Sequence, residues 1–172
     1  MRYLLVLFLS FILCQPVYGA FGEGFSGSEK AMRVVKKTLT CDGAVADDPC
    51  EFDGANATST LFTVTGLVRM RVMAVCTTLL DGTTGTIEIG ISGTINKFIA
   101  QTTGTNIDAN EIWQDATPDV AIELDSVTSY VFWLNNGADV IKTVATADIT
   151  SGVIDFYVIW EPVSTGASVV SA

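Results

Sequence analysis

Short runs of alternating oily and polar residues fill most of the chain. From Val68 onward every second residue is small or apolar (Val68, Met70, Val72, Ala74, Cys76), with Arg69, Arg71, Met73, Val75 and Thr77 between them. A period of two marks a strand with one face committed to a core. The pattern predicts a long strand over Gly66 to Leu80. Asp81-Gly82 then offers a turn with positive φ, after which Ile87, Ile89 and Ile91 alternate with Thr86, Glu88 and Gly90. Leu61 to Ile91 therefore predicts two long strands joined as a tight antiparallel hairpin.

The same reasoning places further strands on either side. Met32 to Thr40 holds Lys36-Lys37, and paired lysines suit a sheet edge, where charge discourages further pairing. Asn96 to Gln101 is a short strand, Glu111 to Asp115 a brief one bearing Trp113, and Val120, Ile122 and Leu124 alternate with polar neighbours. Ser129 to Asn135 differs, because Tyr130 to Leu134 leaves neither face polar; such a strand lies between two layers or turns one face to another subunit. Asn135-Asn136-Gly137 reads as a hairpin turn leading into Val140 to Thr146. Gly152 to Glu161, with Ile154, Phe156, Val158 and Trp160 on one face, closes the set before Pro162. About nine strands at this spacing, with no helical period longer than one turn, predict an all-β fold: an antiparallel, jelly-roll-like β-sandwich over residues 32–172.

Length and composition agree with one domain. The 172 residues are 49% hydrophobic and only 16% charged, and Thr, Ser, Gly, Ala and Val stand where a helical protein would place Lys and Glu. The net charge of −10 repels a polyanion, so no nucleic acid partner is expected. Residues 1–19 read as a signal peptide: Arg2 begins a mostly apolar run from Leu4 to Leu13, and Val17-Tyr18-Gly19 suits cleavage. That run falls short of the roughly twenty residues a spanning helix needs, so no membrane association is expected after cleavage. Residues 20–31 read as a flexible Gly/Ser-rich leader, and Met32 stands as an alternative start.

In the oxidising compartment this implies, Cys41 and Cys50 sit in a turn-rich acidic loop that can fold back to join them as a disulfide. Cys76, on the inner face of its strand, reads as a buried thiol. Asp42, Asp47, Asp48, Glu51 and Asp53 gather the hard oxygen atoms that calcium takes, but no fixed ligand spacing is present. No metal site is assigned there. Asn56-Ala57-Thr58 matches a glycosylation acceptor.

Candidate chemistry is sparse. With no histidine, the commonest general base and the usual triads are missing. Glu88, Glu111, Glu123, Asp155 and Glu161 are scattered, and nothing selects a facing pair of the kind a glycosidase requires. The expectation is a protein that is not an enzyme and takes no cofactor. The aromatics hold the remaining signal. Trp160 alternates correctly for a core residue, whereas Trp113 lies between two polar loops and is the candidate platform for a ligand such as a glycan ring. Tyr130, Phe132 and Trp133 are the candidate oligomer interface, toward a second copy or another surface protein.

Three strings carry a resemblance: Leu61-Phe-Thr-Val-Thr-Gly-Leu-Val-Arg-Met-Arg-Val72, Ile99 to Trp113, and Gly152 to Pro162 with the tail Gly166 to Ala172. On these, from about Met32 to the end, the chain resembles small β-rich proteins of tailed bacteriophages and prophages. The resemblance implies a virion component, such as a head decoration, fibre or tail-associated module, that acts by packing and contact. It transfers no functional residue. A secretory leader and a disulfide loop are departures from proteins of that kind, which are assembled in the cytoplasm.

Overall fold

The computed structural model describes residues 31–43, 49–52, 54, 57–120 and 131–172. Among them are eleven strands in chain order: β1 (Arg33–Cys41), β2 (Ala57–Thr65), β3 (Val68–Asp81), β4 (Thr86–Ile91), β5 (Thr94–Thr103), β6 (Glu111–Trp113), β7 (Asp119–Val120), β8 (Phe132–Leu134), β9 (Val140–Ala145), β10 (Ser151–Pro162) and β11 (Ser168–Ser171), with one 3-10 turn at Gly104–Asn106. They form two antiparallel sheets packed as a sandwich. One has the order β1-β10-β3-β6-β7, with β8 also on β3; the other has the order β11-β2-β9-β4-β5. The expected signal peptide and nearly all of the leader lie outside the described residues, as do Asn56 and most of the strand expected after Val120.

Alternation predicts the inner faces well where strands are long. Val68, Met70, Val72, Ala74 and Cys76 of β3 are buried, and so are Ile154, Phe156, Val158 and Trp160 of β10, with which β3 pairs over most of its length. From the other sheet Phe62, Val64, Ile87, Ile89, Val140 and Val144 meet them in one continuous core. Burying side chains of this kind contributes roughly 1.5–3 kcal/mol each before the entropy of ordering is set against it.

The strand count rises from the expected nine to eleven through β2 and β11. The first begins with the polar run Ala57-Thr58-Ser59-Thr60, and the second spans only four residues. Both pair along their length, β11 with β2 and β2 with β9.

Two predicted hairpins are corrected. β3 and β4 belong to different sheets, so Asp81-Gly82 turns a corner across the sandwich instead of closing a ladder. Its geometry is fixed from both sides: the Gly82 N–H donates to Asp81 Oδ1 at 2.8 Å and the Thr150 N–H to the Asp81 carbonyl at 2.7 Å. Gly82 has φ +151°, and a Cβ there would lie 2.4 Å from the Asp148 carbonyl oxygen, so only glycine fits. Likewise Asn135-Asn136-Gly137 links β8 in one sheet to β9 in the other. The Ala138 N–H closes a turn on the Asn135 carbonyl, and the Gly137 N–H reaches Val64 of β2. Among the described residues, β4–β5 and β6–β7 are the consecutive strands that pair with each other.

Candidate functional site

The long register of β1, β10 and β3 decides what the sheet presents outward. Directly opposed residues share a face, which gives outward rows Val34–Ile159–Arg71, Lys36–Tyr157–Met73 and Thr38–Asp155–Val75. A fourth row, Glu161–Arg69–Trp133, crosses from β10 through β3 to β8. The face is apolar for an outer surface. Val34 is 64% exposed and Trp133 64%, and Met32 and Val131 at its rim are exposed too. Met32, Val131 and Ile159, with Arg69, Arg71 and Glu161, line a shallow hollow of about 100 Å³.

Four charges on this face form two ion pairs. Arg69 Nη1 meets Glu161 Oε1 at 2.9 Å, and Lys36 Nζ meets Asp155 Oδ2 at 2.7 Å. The Thr38 hydroxyl donates to Asp155 Oδ1 at 2.6 Å. Burial pushes the Asp155 carboxyl up, but the bonds from Lys36 and Thr38 outweigh it and hold the group below its usual range. The bond to Asp155 likewise raises Lys36. Lys36 also lies 5.7 Å from the centroid of Tyr157, while Arg33, opposite Trp160 on the inner side of the β1 edge, stacks over that ring with its Cζ 5.1 Å from the centroid.

Trp113 is not on a surface. It is fully buried in β6, its ring lies 6.3 Å from that of Phe156, and its indole N–H donates to Thr102 Oγ1 at 3.0 Å. A ring so enclosed has no face left for a sugar, which corrects the expectation of a Trp113 platform. β6 is only three residues long, too short for alternation to reveal that Trp113 points inward.

Of the expected interface, Tyr130 lies outside the described residues. Phe132 is half-buried, its ring edge-on to Phe98 at 4.9 Å, while Trp133 stands in the open. Cys41 and Cys50 form the expected disulfide and Cys76 is a buried free thiol. Desolvation pushes the Cys76 thiol up to about 11. No family model, curated protein or solved structure matches this chain.

The carboxylates named from the sequence have separate local settings. Glu111 Oε2 accepts from the Asp108 N–H at 2.7 Å, capping the turn before β6. Asp155 and Glu161 are the paired groups just described. Glu88 is buried in β4 of the other sheet, and desolvation raises its pKa. Glu123 lies outside the described residues. Of the acidic loop, Asp47, Asp48 and Asp53 also fall outside; among the described residues no group of three acidic or sulfur ligands could hold a metal ion.

Sequence reasoning missed two features. Lys142, in the middle of β9, is 2% exposed and engaged in an interaction of its own; the run Val-Ile-Lys-Thr-Val gives no hint that the lysine is covered. The apolar outer face is the other. It draws one or two residues from each of several strands, so no single stretch displays it.

Proposed function

We propose that this protein is a non-enzymatic structural component of a phage-type virion surface, of the head-decoration, fibre or tail-associated kind, and works by contact through the outer face of the β1-β10-β3 sheet. The observation that carries the reading is the row Glu161–Arg69–Trp133. It sets a well-exposed tryptophan beside a charge-paired arginine on a strand that is otherwise part of the sandwich. Tryptophan and arginine are the residues most often found at the energetic centre of protein interfaces. On a chain of net charge −10, this apolar face, whose carboxylates Asp155 and Glu161 are each paired with a cation, is where a second acidic copy meets least repulsion.

The winding supports the reading at the level of architecture. With the short β6, β7 and β11 set aside, we read the orders β1-β10-β3-β8 and β2-β9-β4-β5 as jelly-roll-like, an architecture frequent in capsid and lectin domains. The resemblance to phage proteins adds the virion, and the Cys41–Cys50 disulfide is consistent with an oxidising site of action. The test is the oligomeric state. Light scattering on the purified chain should give one defined oligomer, and Trp133→Glu should shift it to monomer. Trp133→Ala should weaken association by about 2 kcal/mol, roughly thirtyfold. A strict monomer at high concentration, or an oligomer indifferent to Trp133, would remove the proposal.

A further inference from the structure

The other sheet ends in a free edge of a different character. β5 is its outermost strand, and the turn from β6 to β7 in the facing sheet approaches it. Between Asn96–Ala100 of β5 and Gln114–Thr117 of the turn lies a hollow of about 310 Å³. That size is at the lower end of the roughly 300–1,000 Å³ usual for small-molecule sites. Its lining brings together Asn96, Lys97, Phe98, Gln114, Asp115 and Thr117.

Phe98, Lys97, Asp115 and Thr117 have contacts that position them before any ligand arrives. Phe98 stands edge-on to Phe132, with an interplanar angle of 86°, and Lys97 Nζ lies 5.5 Å from the centroid of Phe132. Asp115 Oδ1 accepts from both the N–H and the hydroxyl of Thr117, at 2.7 and 2.9 Å. Those bonds fix the turn and the carboxylate together while both fall on Oδ1. Among the described residues none falls on Oδ2, which is left to accept from a ligand.

We propose that this hollow is a binding site for a neutral saccharide, one or two rings in size. A sugar ring offers an apolar C–H face to an aromatic side chain and a rim of hydroxyls that both donate and accept. The residues lining the hollow supply the complement: one aromatic ring, the Asn96 amide able to do both, a carboxylate that accepts and an ammonium that donates. Lys97 and Asp115 offset each other, so the lining does not select a charged ligand, and the acidic chain as a whole disfavours anionic sugars. A peptide strand added to the β5 edge is the competing occupant. It would be recognised along the backbone of the whole strand and has no use for polar side chains gathered at the turn. The site is separate from the sheet face assigned to assembly, so each can fail without the other.

The experiment is a titration of the full chain, isotope-labelled for two-dimensional NMR, with glucose, galactose, mannose, N-acetylglucosamine and their β-linked disaccharides, and with a Thr/Val-rich hexapeptide as the rival probe. Saturable shifts from at least one saccharide, centred on Asn96–Ala100 and Gln114–Thr117, are expected. Asp115→Asn keeps an acceptor for Thr117 but replaces the other oxygen with a donor, and should weaken binding about tenfold. Asn96→Ala should weaken it as well, with the remaining spectrum unchanged. Phe98→Ala should abolish it, but because Phe98 packs on Phe132 the polar variants decide if that variant does not fold. Silence with every saccharide, shifts elsewhere on the molecule, unchanged affinity in Asp115→Asn and Asn96→Ala, or a response along β5 to the hexapeptide alone would overturn the proposal.

Discussion

The indole N–H of Trp113 donates to the hydroxyl of Thr102 across the core, 3.0 Å from one sheet to the other. Thr102 Oγ1 in turn donates to the Ala100 carbonyl at 3.1 Å. A hydroxyl both gives and receives, so one threonine satisfies a buried indole and an edge-strand carbonyl together. Thr102→Val preserves the shape and removes both bonds, leaving the indole donor unpaired in an apolar setting. The expected loss is about 1–3 kcal/mol, measured by urea unfolding followed through tryptophan fluorescence. An unchanged midpoint would mean that water or another group replaces the hydroxyl.

The Lys36–Asp155 pair predicts how stability responds to pH. Asp155 titrates below its unfolded value in the folded chain, so its contribution is fully present above that value, near 3.8, and is lost as pH falls through the lower folded one. Lys36 titrates above 10.5, so its contribution is complete below that value and disappears as pH rises through the higher folded one. Thermal unfolding of wild type and Asp155→Asn should therefore differ at neutral pH and converge as the pH falls through the lowered folded carboxyl value. Equal melting temperatures across the whole range would show that the pair contributes nothing.

The disulfide ties the end of β1 to a segment anchored elsewhere, for the Cys50 carbonyl accepts from the Ile149 N–H at 3.1 Å. Cys41→Ser with Cys50→Ser should cost roughly 2–3 kcal/mol, the value for a short closed loop. Cys76, fully buried and with its thiol pushed up to about 11, should resist alkylation in the native protein and react once on unfolding. Mass spectrometry after alkylation, with and without urea, checks both statements, and rapid native labelling at Cys76 would contradict its placement.

Much of the fold was legible because burial on one side of a strand imposes a period of two, and β3 and β10 are long enough to display it several times over. Trp160 was correctly placed in the core on that ground. Trp113 was not, since Glu111-Ile112-Trp113 offers one repeat, and the polar loops beside it resemble a binding surface whichever way the ring points. The hollow beside Phe98 had no sequence signal of its own: Asn96 and Asp115 are nineteen positions apart and meet only because two sheets stack.

Strand existence, the inward residues of the long strands, the positions of tight turns and the closeness of Cys41 to Cys50 follow from the sequence alone, because each depends on neighbours within a few positions. Which sheet each strand joins does not. Asp81-Gly82 and Asn135-Asn136-Gly137 supply the same backbone freedom to a hairpin and to a corner that crosses the sandwich, and the choice rests on hydrogen bonds to Thr150 and Val64, far away in the chain. The outward row ending in Trp133 and the polar hollow at β5 share that origin. Both are assembled from strands whose partners were selected by packing between the layers, and that selection belongs to the tertiary structure.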